Sequence, residues 1–134
     1  MRKLRNLIGI LASSAIGLSG CANDSQSVYR INDADVTLLK KSYLISNTNH
    51  FLTVARGDTI TVYTDLDSDL NLNRVEINPN KTGFRMYRKG DSEIADTVLA
   101  KAENKFMGYM GKIAEIDKER KEQDKQEALR LIGD

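Results

Sequence analysis

An α+β fold, a small antiparallel β-meander followed by a long C-terminal α-helix, is predicted by three observations. From Val28 to Lys89, short runs of β-branched and aromatic residues are separated by Asn, Asp and Gly, the punctuation of strands and turns. From Asp91 onward these breakers almost vanish. Apolar residues then recur at spacings of three and four, as on one face of a helix.

Six strands are expected: Val28 to Ile31, Val36 to Ile45, Phe51 to Ala55, Thr59 to Thr64, Val75 to Ile77 and Phe84 to Arg88. Two hairpins are the best defined. Phe51 to Val54 meets Ile60 to Tyr63 through Arg56-Gly57-Asp58, where Gly57 supplies a positive φ. That tripeptide also resembles the integrin-binding sequence, but a tight turn accounts for it. Val75 to Ile77 meets Phe84 to Tyr87 through Asn78 to Gly83, a loop rich in turn formers. Tyr29, Tyr43, Phe51, Tyr63, Phe84, Tyr87 and Phe106 lie in alternating apolar segments and are read as core, not as a sugar-binding platform.

The helix is expected to start at Asp91-Ser92-Glu93, with Asp or Ser as cap and acidic groups favoured by the helix dipole. Ile94, Val98, Ala102, Phe106, Met110 and Ile113 form its apolar face. Gly108 and Gly111 weaken it by up to about 1 kcal/mol each relative to Ala and suggest a close contact or a bend. Asp117 to Glu127 contains no apolar residue. Pairs such as Asp117 with Lys121 and Lys118 with Glu122 suit a solvated helix. Residues 28–116 are therefore the expected domain and 117–134 an exposed charged helical tail. The tail reads either as a frayed charged end or as a partner-binding arm whose apolar tip, Leu129, Leu131 and Ile132, docks on another protein. No sustained heptad seam runs through it.

The N-terminal residues address location. Arg2, Lys3 and Arg5 precede an apolar run from Leu7 to Leu18, which is too short for an ordinary membrane span, and small residues lead to Cys21. Leu18-Ser19-Gly20-Cys21 resembles the lipobox of bacterial lipoproteins. The resemblance implies a signal peptide over residues 1–20, diacylglycerol on the Cys21 sulfur and acylation of its amino group, by fatty acids such as palmitate, after cleavage. Two or three acyl chains anchor stably where one would not, at about 0.8 kcal/mol per buried CH₂. Ala22 is not the Asp of the enterobacterial inner-membrane retention pattern, so the resemblance favours the outer membrane, facing the periplasm. Residues 21–27 are then the acylated cysteine and a short polar tether of roughly 20 Å at full stretch.

The whole chain has a formal charge of +1, but residues 1–20 hold three basic and no acidic side chains. Without them 17 basic residues face 19 acidic ones, a net charge of −2. No basic face with interleaved aromatics suggests nucleic acid. With Cys21 the only cysteine, disulfides, redox CxxC chemistry and thiolate metal sites within one chain are excluded.

Asp65, Asp67, Asp69, Asn71, Asn73 and Glu76 place oxygen-bearing side chains at positions 1, 3, 5, 7, 9 and 12 of a loop. The spacing resembles an EF-hand calcium loop, with Glu76 as bidentate ligand. Leu70 stands where the sharp turn normally takes Gly, and the preceding segment reads as a strand, not a helix. An acidic connection with solvated carboxylates fits equally well. Calcium is thus the one cofactor to consider. His50, the only histidine, reads as a flank of the strand at Phe51. No phosphate loop, zinc spacing or nucleophile elbow suggests an enzyme. The expected function is a non-enzymatic lipoprotein acting as an envelope interaction or assembly module with a protein partner. Calcium binding or sensing, and a phage- or plasmid-encoded exclusion or lysis lipoprotein, are the alternatives.

Overall fold

The computed structural model describes residues 22–43 and 48–133, so the predicted signal peptide, residues 1–20, and Cys21 lie outside the described residues. The expected α+β architecture is present: β1 (Ala22–Ile31), β2 (Ala34–Tyr43), β3 (Asn49–Arg56), β4 (Thr59–Asp65), β5 (Arg74–Ile77) and β6 (Arg85–Arg88) precede one helix, α1 (Glu93–Ile132). The strands form one antiparallel meander in sequential order, with β1 and β6 at the edges.

Turn chemistry sets the register. Asn32 and Asp33 both adopt positive φ, 49° and 63°, the conformation a two-residue hairpin needs, and Ile31 consequently faces Ala34. Gly57 (φ 57°) closes β3 onto β4. Asn78 continues the β4–β5 edge into its loop: its side-chain oxygen accepts from the Ile60 N–H at 3.0 Å, and its own N–H donates to the Ile60 carbonyl at 2.6 Å. Val75 then faces Tyr87, as the second predicted hairpin requires.

Period-two alternation separates the faces of the sheet. Ala34, Val36 and Leu38 of β2, Leu52 and Val54 of β3, Tyr63 and Val75 are buried and turn toward α1. Phe106 of α1 stacks on Tyr63, with ring centroids 6.1 Å apart. Val28, Leu39, Phe51 and Val62 lie on the opposite face and are half-buried.

Several expectations change. The residues read as a tether, Ala22 to Ser27, are the first half of β1 and pair with Leu38 to Tyr43. Their polar character fits an edge strand, where water serves the unpaired backbone groups. The predicted end of β2 at Leu44 and Ile45 lies outside the described residues. Phe84 precedes β6 and is 48% exposed.

The helix begins as expected. Ser92 caps it by accepting from the Ala95 N–H at 3.0 Å, and Asp96 accepts from the Gly90 N–H at 2.9 Å. Its buried stripe is Ala95, Leu99, Ala102, Phe106 and Ile113, so the apolar face lies one position on from Ile94, which is 71% exposed. Gly108 and Gly111 mark no close contact. A Cβ added at either meets nothing within 4 Å, and the helix runs through both.

Docking extends past residue 116. The Tyr29 hydroxyl donates to Asp117 Oδ1 at 2.8 Å, and the Arg120 guanidinium lies 5.0 Å from the centroid of the Tyr29 ring. Asp117 is therefore held by β1 and not, as its spacing suggested, by Lys121. Burial raises the Tyr29 pKa, and Asp117 adds to the shift. Replacing Tyr29 with Phe removes this bond without altering the ring. Stability is expected to fall by about 1 kcal/mol, with faster amide exchange confined to α1 beyond residue 113, measured by denaturant titration and hydrogen exchange.

Candidate functional site

A meander puts alternate connections at opposite ends of its sheet. The β1–β2, β3–β4 and β5–β6 turns share one end. Ala22, the β4–β5 loop and the entry to α1 share the other. α1 starts at this second end beside β6, where Glu103 Oε1 accepts from the Leu72 N–H at 2.9 Å. It crosses diagonally, reaches the turn end where Tyr109 meets Arg56, and leaves the sheet over Tyr29 of β1. Two of the sequence-predicted sites thus lie far apart: the acidic loop at the Ala22 end, and the apolar tip of α1 beyond the β1 edge.

The acidic loop is a connection between two strands, not between two helices. Asp65 is buried and organises it, with Oδ1 accepting from the Asp67 N–H at 3.4 Å and Oδ2 from the Leu70 N–H at 3.0 Å. Leu70 adopts φ 67° and Ser68 φ 58°, so the sharp turn forms without glycine. The Ser68 hydroxyl donates to the Thr48 carbonyl, and Leu72 is wholly buried, pinning both ends of the loop. One carboxylate oxygen from each of Asp65, Asp67 and Asp69 lies within 4.8 Å of the others.

The rest of the predicted ligand set is differently employed. Asn71 donates to both Asp69 oxygens, at 2.9 Å from its backbone and 3.3 Å from its side chain. Asn73 Oδ1 accepts from the Leu66 N–H at 2.8 Å. Glu76 sits in β5, 3.2 Å from the Arg74 guanidinium. Hydrogen bonding to Asp69 raises the Asp67 pKa, whereas the Asn71 N–H lowers that of Asp69. His50 lies across the ladder from both Asp65 and Lys40, and burial, then Lys40, lowers its pKa.

The tip is fully presented. Beyond Arg120 every helical residue is exposed, and Leu129, Leu131 and Ile132 are 54%, 69% and 82% exposed. Ala128, Leu131 and Ile132 share a face, with Leu129 beside Ile132. Arg130, between Leu129 and Leu131, pairs with Glu127 at 2.7 Å. No described helix is long and apolar enough to cross a membrane.

A feature that sequence reasoning missed runs along the flank of α1. Lys101, Lys105 and Lys112, spaced by four and seven, line one side of the helix next to the buried stripe. Their spacing is visible in the sequence, but the groove they border needs the diagonal crossing of helix and sheet. Comparison with protein-family models, with curated proteins and with solved structures returns no match for the chain.

Because its folded-state pKa is raised, Asp67 holds a proton more tightly folded than unfolded, and its contribution weakens as pH rises through that window. Above the window the Asp67 carboxylate is charged and is repelled by its acidic neighbours. In calcium-free buffer, Asp67→Asn is expected to raise the melting temperature at pH 7, with the gain disappearing below the ordinary Asp value near 3.8; thermal unfolding across pH checks this.

Proposed function

We propose that this chain is a lipid-anchored envelope lipoprotein without catalytic activity, in which the sheet is a rigid base and α1 an arm that meets a protein partner. The observation that carries it is the exposed continuation of α1 past its last contact with the sheet. From Lys121 to Ile132 twelve helical residues extend roughly 18 Å from the Tyr29 contact and end in an uncovered apolar patch. An acylated Cys21 would adjoin Ala22, the first residue of β1, and so attach the sheet to the membrane at the end where α1 begins, opposite the end where it leaves the sheet. The tip is then directed away from the bilayer, where a partner in the periplasm can reach it. The lipobox resemblance supports the anchor, and Ala22 at the following position supports the outer membrane.

Calcium binding by residues 65–76 is a second reading, favoured by the convergence of Asp65, Asp67 and Asp69 and by the glycine-like φ of Leu70. The remaining ligands would have to come from Asn71 and water, with Glu76 released from Arg74.

Substitution of the tip tests the arm more cleanly than a cut after Ile116, which would also remove Asp117 and Arg120 from Tyr29. In membranes, crosslinking and pull-down of the full-length lipoprotein are expected to recover a specific envelope protein. Recovery should fall at least about tenfold when Leu129, Leu131 and Ile132 are each changed to Ser, with the helical circular dichroism unchanged. Equal recovery would sink the arm. For the second reading, calorimetric titration should show calcium binding that Asp65→Ala abolishes; no heat at millimolar calcium removes it.

A further inference from the structure

We propose that the groove between α1 and the turn end of the sheet binds an anionic amphiphile, an acyl chain bearing a phosphate or carboxylate head. Two cavities open side by side along the same flank of the helix and share Lys105. The first, about 410 Å³, has a floor of Tyr63, Val75 and Ile77 and a helix wall of Val98 and Ala102, with Lys101 and Lys105 at its rim. The second, about 320 Å³, is bordered by Arg56, Lys105, Tyr109 and Lys112, with Gly108 leaving its helix wall open.

The diagonal crossing creates this space. α1 covers the sheet from β6 at one end to β1 at the other and leaves the inner face near Thr61 and Ile77 under an overhang. Among the described residues, no acidic side chain lines either cavity. Arg56 is held by neutral groups, donating to the Asn32 carbonyl at 3.0 Å and to the Tyr109 hydroxyl at 3.4 Å. Lys101 and Lys105 have no ion pair among the described residues; Lys112 lies 3.7 Å from the exposed Glu115.

The two cavities differ in character, and this difference selects the ligand. The first is mainly apolar, with the hydroxyls of Thr61, Tyr63 and Thr97 inside it and the ammonium groups of Lys101 and Lys105 at its rim. The second gathers cations. An acyl chain lying over Val75, Ile77 and Val98 would bring an anionic head to Lys105, Arg56 and Lys112. An acidic peptide would instead bring backbone N–H and C=O groups onto the apolar floor, where few partners meet them. This groove is separate from the tip of α1, so binding there is independent of the protein-partner reading.

The test uses the full-length protein in phosphatidylcholine nanodiscs and two lysophospholipid probes that carry the same diazirine-bearing chain, one with a bare phosphate head and one with phosphocholine. The phosphate probe is expected to label peptides containing Val75 to Ile77 and Val98 to Ala102 saturably, about tenfold more than its zwitterionic counterpart. Lys101→Gln with Lys105→Gln should cost about the same factor, as should Gly108→Phe, which fills the cationic half from an open position; the Leu131→Ser variant should label normally. Comparison of the two probes on the unsubstituted protein stands even if a variant unfolds. Equal labelling by both probes, labelling outside these peptides, or insensitivity of folded variants would overturn the proposal. Displacement of the probe by a Glu-rich peptide but not by lysophosphatidate would assign the groove to a protein segment instead.

Discussion

Phe106 on Tyr63 is the contact around which the rest of the molecule is arranged. A six-stranded sheet of this size must cover at least one face, and among the described residues α1 is its cover. Phe106, Leu52, Val36 and Val75 are buried together, each contributing about 1.5–3 kcal/mol by leaving water. That cluster fixes where the helix crosses. The crossing in turn decides which parts of α1 are committed to the sheet, which flank overhangs a groove, and where the arm begins.

The sheet itself depends on local chemistry more than on the helix. Asn32-Asp33, Gly57 and Asn78 take backbone conformations that most residues resist, and each lies at a hairpin. Strand alternation and turn residues are local signals, so the meander and both predicted hairpins were readable from the chain. The first half of β1 was not. Ala22 to Ser27 is polar because it forms an edge, and edge composition resembles that of an unstructured linker. Ile94 was misplaced for a similar reason: it continues the three-four spacing, but at this end of the helix Ala95 and Leu99, one position on, are the buried residues and Ile94 faces water.

The acidic loop illustrates how far spacing alone extends. Six oxygen-bearing residues occupy the positions of a calcium loop, yet three converge while Asn73 and Glu76 serve the hairpin. Asp65 is legible as acidic but not as buried. Its burial follows from the backbone N–H groups of Asp67 and Leu70 that it satisfies, a relation between chain directions which no residue pattern encodes. The cationic flank is the reverse case. Its lysines are plain in the sequence, but without the crossing angle they are only a solvated helix face.

The bond between Tyr29 and Asp117 joins the first strand to a residue 88 positions later. The chain emerges N-terminus first, so there is an interval in which the strands through Arg88 are available and Ile113 and Asp117 of the helix are not. Throughout it the meander can pair its strands while the face destined for the helix remains wet. The nascent chain is thus a half-finished sandwich with an adhesive side, and a chaperone that shields apolar strands has a defined window in which to act. Closure by the helix ends that window and converts a sticky intermediate into a protein whose apolar face is covered.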